Sequence, residues 1–151
     1  MPVSLLDVNV LVALFSQDSS HHAAAQHWFS RNAGAGWATC PFTQAGFVRV
    51  VSNPAAFPNP SPPEQAIDLL AENMQHPAHV FWTDVLTMVE AAAAFRPFLR
   101  GHQQVTDAYL LGLALKRKGR LATFDKAVLA LASAAGMENL VALVPPVPLN
   151  R

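Results

Sequence analysis

Residues 105–136 read VTDAYLLGLALKRKGRLATFDKAVLALASAAG, and the order of patterns in that stretch decides the fold class. Residues 105–118 place apolar side chains at helical spacing and end on basic residues, with Gly119 positioned to cap the C-terminus. A short apolar run of strand type follows over 120–124, and Asp125 leads straight into a second helical stretch over 126–135 that Gly136 closes. Residues 140–144 supply another strand. Helices alternating with short strands imply a parallel sheet, because parallel neighbours require a crossover connection.

The same alternation runs back to the amino terminus. A strand is expected over 3–6, followed by Asp7 and a helix over 8–15. Ser19 and Ser20 are placed to cap a second helix carrying Ala24, Ala25, Trp28 and Phe29, which Gly34 or Gly36 would end. Residues 37–39 form a second strand candidate, and Pro41 suits the first turn of a helix to about 52. A third strand is read over 79–82, a helix over 84–95, and a polar, basic connection over 96–104. Residues 53–63 hold five prolines and exclude regular structure, so they read as a loop, either functional or a surface insertion. Ser61-Pro62-Pro63-Glu64 has capping-box spacing and restarts a helix to about 75. The proline-rich tail, 145–151, does not continue a central strand. The expectation is a single α/β domain over 1–151, with a mostly parallel sheet of about five strands sandwiched between helices.

Composition bounds what such a domain does. Its 151 residues are 52% apolar and 13% charged, with ten basic and ten acidic side chains and a mean hydropathy of +0.23. Disorder is excluded, since disordered chains combine low hydrophobicity with high net charge. Zero net charge argues against loose electrostatic binding to nucleic acid or anionic membranes, while leaving room for local patches. So apolar a chain is expected to cover part of its surface with a partner. Cys40 is the single cysteine, so there is no internal disulfide or multi-thiolate metal site, and a reducing cytoplasm is the natural compartment. No run of about 18 apolar residues occurs, so no membrane span is expected.

In parallel α/β sheets the reactive site lies outside the carboxyl ends of the strands. Asp7 follows the first strand, Asp125 follows the fourth, and Asp107 opens the strongest helix, so all three are expected at one sheet edge. Singly, an aspartate near a helix N-terminus is explained by capping and the helix dipole. Together, carboxylates within ~5 Å repel by about 3 kcal/mol per pair at an effective dielectric near 20. Such a group persists by holding a cation or by taking up a proton. Oxygen-only donors select Mg²⁺ or Mn²⁺ over zinc, and such an ion drives phosphodiester hydrolysis.

These residues also lie in familiar company. Leu5-Leu6-Asp7-Val8-Asn9-Val10-Leu11-Val12-Ala13-Leu14 resembles the opening of PIN domains, and Val105-Thr106-Asp107-Ala108-Tyr109 and Leu121-Ala122-Thr123-Phe124-Asp125 resemble their third and fourth motifs. With residues 38–50 (ATCPFTQAGFVRV) as the second motif, the chain resembles VapC toxins of bacterial toxin–antitoxin pairs, particularly a group abundant in mycobacteria. One D-x-N is weak as a signal, whereas four motifs in order are specific. The resemblance implies a Mg²⁺- or Mn²⁺-dependent ribonuclease that cuts a structured RNA such as tRNA or rRNA. On that transfer Asp7, Asp107 and Asp125 are the catalytic metal ligands, Asp125 completing the acidic pocket directly or through a metal-bound water. Asn9, Thr106 and Thr123 are then candidates to orient carboxylates and waters, and Gln44 either orients water or is an inert helix-surface residue. A VapB-type antitoxin and a homodimer are implied as partners. Many PIN domains carry glutamate where this chain has Gln44, so weaker metal binding without RNA is expected, with the substrate phosphate supplying the missing charge.

Other polar residues divide by position. Lys116, Arg117, Lys118 and Arg120 fall about 16 Å from Asp107 along the helix, at the opposite edge, and complement the helix dipole. Arg96, Arg100 and His102 precede Asp107 and are candidates for phosphate contact, with Arg49 a weaker one. His21, His22 and His27 lack the i, i+4 pairing of a helical zinc site and read as surface or capping residues. Trp28, Trp37 and Trp82 read as core. Readings from other classes are a degenerate PIN domain that binds RNA or protein without cutting, favoured by Gln44, and a phosphoaspartate enzyme or receiver. The usual phosphatase pattern of the latter needs an aspartate where Asn9 stands.

Overall fold

The computed structural model describes residues 1–83 and 85–147. Asp84, where the sequence starts a helix, and residues 148–151 of the proline-rich tail lie outside the described residues. The strands are β1 (Ser4–Leu6), β2 (Trp37–Thr39), β3 (His79–Phe81), β4 (Arg120–Thr123) and β5 (Val141–Leu143). They form one all-parallel sheet in the order β3-β2-β1-β4-β5. The helices are α1 (Val8–Phe15), α2 (His22–Asn32), α3 (Pro41–Val51), α4 (Pro63–Asn73), α5 (Met88–Ala92), α6 (Val105–Lys116) and α7 (Lys126–Ala134).

Both sheet faces are covered, which is why the inner strands read as continuous apolar runs. Alternation sends Leu5 and Leu121 into one core with α5, α6 and α7, while Leu6 and Ala122 enter the other with α1 to α4. The three tryptophans are buried, as expected. No helix among the described residues is long and apolar enough to cross a membrane.

Four local expectations are corrected. The helix expected over 84–95 contracts to α5, because Thr87 and Glu90 form a capping box that fixes its start and the chain turns into a short 3₁₀ segment at Arg96–Phe98. Ser61 does not cap α4. Pro62 occupies the N-cap in extended conformation, as the residue before Pro63 must, and the Ser61 N–H donates to the Val51 carbonyl. α2 begins one residue beyond His21, with no side-chain cap, and Ser19 Oγ accepts from the His21 N–H instead.

The end of α6 also differs from expectation. Lys118, not the glycine, takes the left-handed conformation at φ 56°, and the Gly119 N–H closes the helix on the Ala114 carbonyl at 2.9 Å. Gly119 is required for another reason: a Cβ there would lie 2.6 Å from the Val3 carbonyl oxygen and 2.5 Å from the Trp82 ring.

Candidate active site

A strand that ends in an aspartate delivers its carboxylate to the sheet edge from which the next helix departs. Asp7 does this after β1, N-capping α1: its Oδ1 accepts from the Val8 N–H at 2.8 Å. Asp125 does it after β4, N-capping α7, with Oδ1 accepting from the Ala127 N–H at 2.8 Å. The capping explanation is therefore correct for both. It does not exhaust them, because the parallel pairing of β1 with β4 sets these two caps side by side. Asp107, in the first turn of α6, joins them.

Thr123, buried at the end of β4, ties the group together. Its hydroxyl donates to Asp7 Oδ2 at 2.8 Å and accepts from Asn9 Nδ2 at 3.2 Å and the Asp125 N–H at 3.1 Å. One proton and two lone pairs are all a hydroxyl has, so Thr123 is saturated. Asn9 completes the loop by accepting from the Phe124 N–H through Oδ1 at 3.3 Å.

Burial and like charge together raise the Asp7 and Asp107 carboxyls. Burial raises the Asp7 carboxyl above the usual range, Thr123 and the Val8 N–H pull it back, and Asp125 adds repulsion. Asp107 is pushed up to about 6, first by burial and then by the charges of Asp7 and Asp125. Among the described residues, the donors to Asp7 and Asp125 are all neutral, and no three His, Cys, Asp or Glu side chains stand close enough to make a preformed metal cage. Carboxylate oxygens are the donors a hard divalent ion takes, but Asp7, Asp107 and Asp125 would have to draw closer together to hold one.

A cleft of about 510 Å³ opens beside them, lined by Asp107, Asp125 and Ala127 and by the loop from Arg100 to Gln104. Gln104 holds that loop by accepting from the Arg100 N–H. Arg100 and His102 therefore reach the carboxylates' cleft, as their sequence position implies. Arg96 is exposed on a 3₁₀ turn and does not line it. Thr106 is exposed.

Gln44 and Arg49 line a different groove, between α3 and α4. Gln44 Nε2 donates to Thr39 Oγ1 at 3.0 Å and towards Met74 Sδ at 3.6 Å, and none of its hydrogen bonds touches a carboxylate. Residues 53–63 line neither the carboxylates' cleft nor any contact with it: Phe57 packs on the core beneath α3 and α4. Arg120 donates to Ser4 Oγ and Asn32 Oδ1, and Arg117 to Thr83, as structural ties.

His21, which the sequence reads as a surface or capping residue, is exposed. Its ring lies on Phe124, centroids 5.0 Å apart and planes 32° from parallel, next in the chain to both Thr123 and Asp125. No local pattern announces this, because the contact joins residues far apart in sequence.

The molecule is a parallel five-stranded α/β domain with aspartates after β1 and β4, and a profile of the PIN domain matches residues 4–134. The chain belongs to the PIN-domain family, in its VapC branch. Ribonuclease VapC39 of Mycobacterium tuberculosis is 43% identical over 137 residues, covering 91% of this chain and 99% of the relative. Ribonuclease VapC38 of the same organism is 45% identical over 130 residues, 86% and 90% of the two chains. Ribonuclease VapC44 is 43% identical over 125 residues, 83% and 87%.

Proposed function

We propose that this chain is the toxin of a toxin–antitoxin pair, a Mg²⁺- or Mn²⁺-dependent endoribonuclease that hydrolyses phosphodiester bonds in a structured RNA such as tRNA or rRNA. A VapB-type antitoxin restrains it, the chain works as a homodimer in the cytoplasm, and the PIN domain spans residues 1–151. One arrangement supports this reading: Asp7 and Asp125 take hydrogen bonds from neutral donors only among the described residues, their charges both raise Asp107, and Asp107 and Asp125 line a cleft with Arg100 and His102. The relatives' description as ribonucleases supports it.

Asp7, Asp107 and Asp125 would hold the ion, which when bound supplies Lewis acidity and an activated water. The chain's own residues supply the geometry. Thr123 and the Val8 N–H fix both Asp7 oxygens, so the carboxylate is oriented before any ion arrives. Asn9 and Thr123 lock the turn that carries Asp125. Arg100 and His102 engage backbone phosphates and counter the repulsion between an acidic site and a polyanion.

Gln44 favours a second reading, a module that binds RNA without cutting it, since its amide is engaged with Thr39 and Met74 and adds no charge to the site. Parent and Asp7→Asn chains tested on total cellular RNA, with Mn²⁺ and with EDTA, separate the two. Cutting by the parent in Mn²⁺ alone is expected. Cutting that survives the substitution or the chelator overturns the metal site, and a folded parent that binds RNA but never cuts it establishes the binding module.

A further inference from the structure

The cleft accounts for one side of the carboxylates, with charged and amide side chains suited to a sugar–phosphate backbone. Outside the cleft's lining, Phe124, next in the chain to Asp125 and bonded to Asn9, carries His21 against its ring. Phe124 is half-buried and packs on the apolar core under α1 and α2. His21 is exposed, and its ring lies tilted against Phe124.

Both rings are held from their backbones. The Phe124 N–H is fixed by Asn9 Oδ1. The His21 N–H is held by Ser19 Oγ, its carbonyl accepts from the Ala25 N–H, and the neighbouring His22 Nδ1 lies 2.8 Å from the Ala13 carbonyl. Rings carried on backbones so tied, one of them on the residue next to Asp125, offer a flat surface to another flat ring.

Single-stranded RNA is bound largely by stacking unpaired bases on aromatic or histidine side chains, whatever the base, since every base has a π-face. We infer that His21, supported by Phe124, is a stacking platform for an unpaired base of RNA adjacent to the phosphate bound at Asp7, Asp107 and Asp125. This rests on reading the chain as one that acts on RNA, and it deepens that reading: the preferred substrate presents a single-stranded base at the cut, so a loop, bulge or end is taken and a continuous duplex is not.

The test is binding in an Asp107→Asn background, which prevents cutting and removes one repelling charge. Fluorescence anisotropy without added metal compares His21→Ala, Phe124→Ala and His21→Phe on two probes of equal length. One probe is a single-stranded oligoribonucleotide, and the other is an abasic strand with the same phosphates. On the base-bearing strand His21→Ala should weaken binding roughly 5-fold or more, the loss of a stacked base, with the slope against salt unchanged. Phe124→Ala should weaken it similarly, and His21→Phe should restore it. On the abasic strand neither alanine variant should matter.

Equal losses on both probes, a fall in salt slope, or parent-like binding by His21→Ala overturns the proposal, as does a background chain that does not bind RNA. Cutting by the parent chain in Mn²⁺ is read separately. A parent that never cuts, with base-dependent loss at His21, removes the nuclease and keeps the platform.

Discussion

At the carboxyl ends of β1 and β4, the aspartates that follow the strands take hydrogen bonds from neutral donors only among the described residues, and the charges of both raise Asp107. At the amino ends of the same two strands, Ser4 pairs with Arg120, whose guanidinium bonds to Ser4 and Asn32, and Gly119 packs within a Cβ's width of Val3 and Trp82. One end gathers like charge and leaves room; the other closes around a single charge with neutral partners. The same two strands thus carry a site and its support. Substitutions at the first end should change activity with modest effect on folding, and substitutions at the second should do the reverse.

The largest expected effect tests the first end. Thr123→Val keeps the shape but removes the proton given to Asp7 and the acceptor offered to Asn9 and Asp125. Asp7 then loses the bond that lowers its pKa against burial. Cutting of a defined RNA at saturating Mn²⁺ should fall ~10- to 100-fold, the usual penalty for losing a partner of a metal ligand. Thr123→Ser, which keeps the hydroxyl, should retain most of the rate. Equal rates for the valine and serine variants would mean the hydroxyl does not orient the carboxylate.

Gly119→Ala probes the second end. Its Cβ meets a backbone oxygen at 2.6 Å, which a side-chain rotation does not relieve. Overpacking of this kind costs about 1–3 kcal/mol, and at this chain length each kcal/mol lowers the melting temperature by about 2–4 °C. The rate per folded molecule should not change. A variant that melts like the parent would show the amino end to be slack.

Much of the first end's layout was legible in the sequence, because the alternation of strand and helix puts Asp7 and Asp125 directly after strands and Asp107 at the start of a helix, where each is found. The five strands and the two-faced sheet followed from the same pattern. What was not legible depends on contacts between distant residues or on competition between local signals. Gly119 read as a cap, yet Lys118 takes the positive φ and the glycine serves a close approach to Val3 and Trp82. The start of α5 at Met88 was written in Thr87 and Glu90, a capping box that an apolar count over 84–95 passes by. Gln44 lies in the expected motif but bonds to Thr39 and Met74, and His21 meets Phe124 only once α2 and β4 are packed.

The smallest effect sharpens the contrast in charge. The ordinary aspartate value is 3.8, and in the folded chain Asp107 stands at about 6, so between those values the folded state holds a proton that the unfolded state releases. Unfolding free energy therefore falls as pH rises through that window, and Asp7, raised in the same direction, adds to the slope. Metal-free protein should melt higher near pH 5 than near pH 7 as far as these groups contribute. Water and salt reach half-buried Asp107, which holds its share to on the order of 1 kcal/mol or less. Asp107→Asn removes that share: it should melt above the parent at pH 7 without metal, and the gap should narrow as pH falls to 5. Mn²⁺ should raise the parent's melting temperature at pH 7 more than the variant's, because an ion that binds only the folded state stabilises it by mass action. A gap between the two chains that is constant with pH and blind to Mn²⁺ would mean that Asp107 is not repelled by Asp7 and Asp125, and that the two ends of the sheet do not differ in the way their side chains imply.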